Sequence, residues 1–424
     1  MRVKMQEKVL VIGSGGREAA IAQKLIASEQ VAQVFVAPGN PGMQAMEGVI
    51  PVNIGELEFD ALKGFVEENQ IDWTFVGPED ALVAGIVDDF QAAGYPIFGP
   101  DKAAAMLEGS KDYAMRFMKR YQVPTAKFGT YTNSQAALAA MEHFGFPLVI
   151  KADGLAGGKG VVISPDVASA QAEIKLMFKK GQSQIVLEEY LEGSEYSMFI
   201  VVGQDDYQIL PLAQDHKCAY DGDQGPNTGG MGSYSPVPQL SEIDYQKMLT
   251  EVVSPTIVGL RDAHPNYRGI LYIGMILTPT GPKVIEYNVR LGDPETQVVL
   301  PRIKSDFGRL IKAAIDGEKL PPITVSPRAC LGVVVAAQGY PKAPVKGQIL
   351  PKMPHQEGIE VVYANVASQE EELVGNGGRI LMVCGQNTNL IQVQAQVYDY
   401  LARINFDQCF YRKDIGFKAT QTKF

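Results

Sequence analysis

Between residues 8 and 100 short apolar runs alternate with helical stretches, and few folds accept that exchange. "KVLVIG" reads as a buried strand and "REAAIAQKLIAS" as a helix with Ile21, Leu25 and Ile26 on one face. "VAQVFVAPGN" reads as a second strand, "IDWTFVGPE" and "YPIFGP" as later ones. A strand reaches a parallel neighbour only through a crossover, which a helix supplies, so this region predicts a doubly wound parallel sheet. The pattern then changes. Helical periodicity covers 101–121. After it, "VPTAKFGTYTN", the helix "SQAALAAMEHF", two strands around a glycine-rich loop and the helix "VASAQAEIKLMFKK" make a compact unit ending near "QIVLEEYL". "GILYIGMILTPTGPKVIEYNVR" predicts an antiparallel hairpin turning at Gly281, and "ACLGVVVAAQGYP" opens a last run of short strands.

With 424 residues the chain has room for several domains, each with its own core. An apolar fraction of 46% with 20% charged residues is that of a soluble globular protein. A formal net charge of -10 opposes binding to a nucleic-acid backbone but leaves small anions in local pockets open. No apolar stretch approaches the roughly 20 residues that span a bilayer. The charged N-terminus has only four apolar residues in a row before its glycines, too few for a signal peptide. A cytoplasmic enzyme without membrane or nucleic-acid partners is the expectation. Cys218, Cys330, Cys384 and Cys409 form no C-x-x-C pair and the four histidines are scattered, so reduced structural thiols and no zinc site are expected.

Three glycine-bearing stretches carry the candidate chemistry. "VLVIGSGGREAA" starts like a dinucleotide fingerprint, but Glu18 replaces the third glycine, and Ala37 and Pro38 stand where an acid should hold a ribose hydroxyl. What remains is an anion cup of backbone N–H groups over Gly13, Gly15 and Gly16 at a helix N-terminus, with Arg17 adjacent. A tight strand-to-helix turn without a ligand is the plainer reading.

"KADGLAGGKG" (Lys151–Gly160) holds four glycines and two lysines, yet it is no P-loop. Three residues separate Gly154 from Gly158 where that motif has four, Gly160 stands in place of the hydroxyl, and a strand follows instead of a helix. It reads as a flap whose glycines let N–H groups approach a polyphosphate, with Lys151 and Lys159 adding charge. The third stretch, "CAYDGDQGPNTGGMGSYSP" (218–236), follows the bunched Asp215, His216 and Lys217. It lacks apolar periodicity and is expected to add little core.

In "KVIEYNVRLGDPE" alternation places Glu286, Asn288 and Arg290 on one face and Ile285, Tyr287 and Val289 on the other. A carboxylate and an amide oxygen two residues apart suit a hard cation such as Mg²⁺, which completes its shell with water and phosphate. Arg290 could hold a substrate carboxylate or phosphoryl group. A solvated sheet face with a salt bridge would show the same pattern.

Together and in order, "VIGSGGRE", "VFVAPGN", "FVGPE", "IFGP", "LEGSK", "VIKADGLAGGKGV", "LEEYLEGSEYS", "QDHK", "GPNTGGMGSYSP", "VIEYNVRLGDPETQ", "NGGR" and "YRKDIG" resemble the ATP-grasp superfamily and, within it, the phosphoribosylamine–glycine ligase family. They span essentially the whole chain. The resemblance implies an α/β and α+β multidomain protein. It has an N-terminal doubly wound parallel sheet (1–101), an ATP-grasp core (102–122 and 191–325), a small lid subdomain (123–190) and a C-terminal mixed α/β domain (326–424). It also implies a monomer that joins glycine to 5-phosphoribosylamine at the expense of ATP, through glycyl phosphate.

Roles follow by motif. Lys151, Gly157, Gly158, Lys159 and Gly160 would hold the triphosphate, with Lys111 a further nucleotide contact. Glu188, Glu189 and Leu191 would meet adenine, and Glu195 the ribose. Glu286 and Asn288 would ligate Mg²⁺ or Mn²⁺, and Arg290, Asp293 and Asp215 would serve glycine and the acyl phosphate. Gly13, Gly15, Gly16, Arg17, Glu18, Asn40, Pro78 and Glu79 would bind phosphoribosylamine, whose path Asn227, Thr228, Gly229, Gly230 and Met231 would line.

Two departures stand out. Ala19 replaces the histidine usual after G-G-R-E, and the strand "ILYIGMIL" lacks the acid that many ATP-grasp enzymes use as a further metal ligand. A biotin-dependent carboxylase subunit, an idle nucleotide-binding module and an NAD oxidoreductase are the alternatives.

Overall fold

Val9, Leu10, Val11 and Ile12 are all fully buried, although consecutive strand residues face opposite ways. Val9 and Val11 belong to one apolar cluster and Leu10 and Ile12 to another, so β1 (Glu7–Gly13) is covered on both faces. It is the centre of the parallel sheet. The computed structural model describes residues 6–155 and 160–420. With β2 (Val31–Pro38), β3 (Val49–Pro51), β4 (Trp73–Val76) and β5 (Ile97–Phe98) the order is β3-β2-β1-β4-β5, every pair parallel. The chain order reverses on either side of β1, and open parallel sheets bind ligands at such a switch point in a crevice beyond the carboxyl ends, here between the turn leading into α1 (Gly16–Ile26) and the turn after β4.

The compact middle unit is a four-stranded antiparallel sheet in the order Phe128–Tyr131, Ile185–Glu189, Leu148–Ala152, Val161–Ser164. Helix Val167–Lys179 lies on it, and Leu148, Ile150, Ile174, Ile185 and Leu187 form a core of its own. The glycine-rich segment joins two antiparallel strands, as expected.

The predicted hairpin is present. Gly269–Thr278 pairs antiparallel with Gly281–Asn288, Thr278 facing Gly281, whose φ of +121° favours glycine. Ser194–Val202 and Tyr207–Ile209 extend this central sheet. One detail departs from simple alternation. Met275 faces Val284 and Gly274 faces Glu286, so Ile285 is an extra residue in the ladder. Val284, Tyr287 and Val289 therefore share the core, while Ile285 is only half-buried.

The C-terminal sheet runs Gln214–Asp215, Gly232–Ser235, Ala329–Ala337, Arg379–Asn387, Ile359–Tyr363, with Cys409–Phe410 beside Ala329–Ala337. This corrects the reading of 218–236 as adding little core. Met231 and Tyr234 are fully buried there, and Cys218–Tyr220 pairs with Gln224–Asn227 as a small ribbon. A short strand covered on both faces has no polar side to alternate with, so periodicity could not reveal it. Among the described residues no helix is long and apolar enough to cross a membrane.

Candidate active site

Lys151 and Glu188 stand on neighbouring strands of the middle sheet, and their charged groups meet at 2.8 Å, both buried. Lys151 Nζ also donates to Ile285 O at 3.1 Å, made available by the bulge. Burial pushes the Glu188 carboxyl up, against the pull of Lys151, and its Oε1 is buried with no hydrogen-bond partner among the described residues. Lys111 begins the helix Lys111–Arg120 that Ser110 caps; its N–H donates to Asp153 Oδ1 at 2.6 Å and its Nζ to Gly154 O at 2.8 Å. Burial lowers the Lys111 pKa, with the charge of Glu286 opposing. Glu189 is committed elsewhere: its Oε1 accepts from Lys283 at 3.1 Å and from the Lys127 N–H at 2.9 Å, fastening the middle sheet to the central hairpin. Leu191 is half-buried, Glu195 is exposed on Ser194–Val202, and Gly160 O accepts from the Ala152 N–H at 2.8 Å. Gly157, Gly158 and Lys159 lie outside the described residues.

Glu286 is exposed at the end of the hairpin strand, with Asn288 Nδ2 at 3.5 Å from its Oε1. No cluster of three or more His, Cys, Asp or Glu side chains suited to a metal occurs among the described residues. A carboxylate and an amide oxygen nevertheless fit a hard cation that draws the rest of its shell from phosphate and water. At one position of the uncharged partner strand a side chain is sterically disfavoured. A Cβ on Gly274 would lie 3.1 Å from Glu286 Cγ, so a side chain there would crowd the carboxylate.

At the crevice beside β1 and β4 the charges interlock. Arg290 Nε donates to Glu79 Oε2 at 3.0 Å, its Nη2 meets Glu108 Oε1 at 2.7 Å and Asn288 Oδ1 at 3.2 Å, and Arg17 Nη1 reaches the same Glu79 oxygen at 3.5 Å. Burial alone would raise the Glu79 carboxyl, but Arg290 and Arg17 hold it down at about 2. Glu108 is different. Burial pushes it up to about 7 despite Arg290, and its Oε2 accepts the Val289 N–H at 2.8 Å.

One N–H of the expected anion cup is already taken by a side chain of the protein itself. Glu18 Oε2 accepts the Gly15 N–H at 2.8 Å while its Oε1 meets Arg17 Nε at 2.6 Å, so the side chain caps its own helix. Asn40 is likewise spoken for, donating to Ser14 O at 2.7 Å and accepting from Gly42 N at 2.9 Å. Pro78 caps the short helix Glu79–Ala84 that carries Glu79. Ala19 points into the core with Val9 and Val11 and presents nothing to the crevice.

Asp215 pairs with Lys217 at 2.9 Å. Asn227 is exposed on the small ribbon, and Thr228 Oγ1 donates to Lys217 O at 2.8 Å and accepts the Gly230 N–H at 2.9 Å. Met231 is corrected as a substrate contact: its side chain is in the core, its N–H donates to His216 O and its O accepts from Val334 N. Asp293 meets Arg379 Nη2 at 2.8 Å; burial raises its carboxyl, and Arg379, the Gln297 hydrogen bond, Arg17 and Arg290 together lower it below the usual value. Glu108, Lys217 and Arg379 received no role from the sequence. Each sits inside a matched motif, "LEGSK", "QDHK" and "NGGR", and that membership was the available signal.

Comparison with known proteins agrees along the whole chain. Models of the phosphoribosylglycinamide synthetase N domain, ATP-grasp (A) domain and C domain match residues 7–108, 109–296 and 330–418. The phosphoribosylamine–glycine ligase of Lactococcus lactis subsp. lactis is 48% identical over 413 residues, covering 97% of this chain and 100% of that protein. The crystal structure of phosphoribosylamine–glycine ligase from Thermotoga maritima superposes with a TM-score of 0.83 at 36% identity, over 96% of this chain and 100% of that one. Biotin carboxylase from Campylobacter jejuni, at 15% identity and a TM-score of 0.74 over 97% of this chain and 94% of that one, shares the fold. With its N, ATP-grasp and C domains matched in order, the chain belongs to the phosphoribosylglycinamide synthetase family.

Proposed function

We infer that the chain is an ATP-dependent ligase of purine biosynthesis, joining glycine to 5-phosphoribosylamine to give glycinamide ribonucleotide, ADP and phosphate. Full-length relatives with that activity in their names support the reaction. The observation that carries the site is Arg290, which links Asn288 on the hairpin strand to Glu79 beside the first sheet. A nucleotide end and an acceptor end thus share one polar network.

We read the nucleotide end as Lys111, Lys151, the 157–160 loop, Glu188, Glu189, Leu191 and Glu195. The Glu188 oxygen that has no partner among the described residues is an acceptor that the exocyclic amine of adenine would satisfy. Glu286 and Asn288 would hold Mg²⁺ or Mn²⁺, which neutralises phosphate charge when bound. The acceptor end comprises residues 13–18, Asn40, Pro78, Glu79 and the turn 227–230. Two chemical steps need no side-chain nucleophile. The glycine carboxylate attacks the γ-phosphorus and ADP leaves; the amine of phosphoribosylamine then attacks the glycyl phosphate carbonyl and phosphate leaves. Lys151, Arg290 and Asp293 orient the reactants and offset charge. We assign acceptor binding to 1–101, ATP chemistry to 102–122 with 191–325, the lid to 123–190 and a supporting role to 326–424, in a cytoplasmic monomer.

ADP release should be negligible with ATP and Mg²⁺ alone and should require both glycine and phosphoribosylamine for turnover. Hydrolysis of ATP at the full rate without glycine overturns the reading.

A further inference from the structure

Arg379 opens the strand Arg379–Asn387 of the C-terminal sheet, yet its guanidinium is spent elsewhere. Nη1 donates to Asp293 O at 2.7 Å and Gly229 O at 2.8 Å, with Gly230 O at 3.4 Å, and Nη2 meets Asp293 Oδ2 at 2.8 Å. The other carboxylate oxygen accepts from Gln297 Nε2 at 2.7 Å, so both oxygens of Asp293 are fixed. A Cβ on Gly229 would lie 2.9 Å from Arg379 Cζ, and one on Gly230 would overlap Pro294 Cδ and lie 3.4 Å from Asp215 Oδ2. Segments around 215, 229–230 and 293–294 therefore converge, and one side chain from the C-terminal sheet ties two of them together.

We propose that Arg379 is a positioning residue of the ligation: it sets Asp293 and the Gly229–Gly230 turn at the acceptor end, so that the C-terminal domain governs how phosphoribosylamine is received. A planar fork serves acceptors that diverge in direction; a lysine ammonium in the same place would satisfy them only in part. The proposal rests on the reading that Asp293 and the 227–230 turn serve the acceptor.

The test compares Arg379→Met, Arg379→Lys, Asp293→Asn and the Met/Asn double variant, with kcat, KM for each substrate and melting temperature measured for all. Arg379→Met should raise KM for phosphoribosylamine or lower kcat by about tenfold or more, with KM for ATP within about twofold. Arg379→Lys should fall between, and the double variant should be no worse than the worse single. An unimpaired Arg379→Met beside an impaired Asp293→Asn overturns the role of Arg379 and leaves that of Asp293. If neither is impaired, both assignments fall. Impairment by Arg379→Met without impairment by Asp293→Asn also overturns the proposal. So does an equal loss toward all three substrates with a lowered melting temperature, the behaviour of a structural staple. Should Arg379→Met not fold, Gly229→Ala pushes the same guanidinium from the other side and is read by the same criteria.

Discussion

Glu286 and Glu108 both act on Arg290 by their charge, and exposure separates what each can do. Glu108 is buried, and both its oxygens accept, from Arg290 Nη2 and from the Val289 N–H. An amide at that position could accept from only one of those donors, so structure and chemistry would change together. Glu286 is exposed and, among the described residues, makes one long hydrogen bond, 3.5 Å from Asn288. Removing its charge disturbs little packing but takes the one formal negative charge from the pair that would hold a cation. Glu286→Gln should lower kcat by about a hundredfold, about 2.7 kcal/mol of barrier, with an unchanged melting temperature. Activity within a few-fold of the parent would make this strand face a solvated surface and nothing more.

At the scale of elements, the N-terminus of α1 is a junction and not only a cup. A Cβ on Gly16 would lie 2.9 Å from Gln297 Nε2 and 3.4 Å from Ala364 Cβ, so the glycine admits two other segments of the chain. Gln297 is buried and spends that same nitrogen on Asp293 Oδ1, hence it cannot retreat without losing the bond. Gly16→Ala should therefore raise KM for phosphoribosylamine by about tenfold and leave ATP affinity unchanged, with circular dichroism as the folding control. A folded variant that loses ATP affinity instead would move the nucleotide to the first sheet. These elements differed in how far the sequence disclosed them. The first sheet and the Gly281 hairpin were legible because their signals are local: buried runs, a helix between strands, a glycine at the turn. The extra residue at Ile285 was not, because a bulge is defined by the partner strand. The pairing of Gly232–Ser235 with Ala329–Ala337 joins segments about a hundred residues apart, and no periodicity records such a contact. In the candidate site, spacing is what singles out Glu286, Asn288 and Arg290, which the structure places side by side, whereas Glu108 and Arg379 meet partners distant in sequence.

Across the whole molecule, Glu79 is where the first sheet is held to the ATP-grasp hairpin, and its titration couples that junction to acid stability. Unfolded, it has the ordinary carboxylate value of 4.5; folded, burial would raise it, but Arg290 and Arg17 bring it to about 2. Between those values the unfolded chain binds more protons than the folded one. The stability Glu79 contributes is therefore complete above the unfolded value and is lost as pH falls toward the folded one. For one such group the contribution is about 3 kcal/mol at about pH 5 and about 1.4 kcal/mol at about pH 3. Glu108 runs the other way: raised to about 7 in the folded state, it favours folding below 4.5, and that contribution fades as pH rises through 7. The acid side thus reports Glu79 and the neutral side Glu108. Glu79→Gln removes the acid-side titration and, because the Glu79 charge helps to raise Glu108, also lowers the Glu108 carboxyl. The difference in melting temperature between parent and Glu79→Gln should be largest near neutrality and should shrink steadily as pH is lowered from about 5 to about 3. A difference that stays constant through that window would mean that Arg290 and Arg17 hold Glu79 no more strongly in the fold than water does, and the junction would have to be stabilised by its apolar contacts instead.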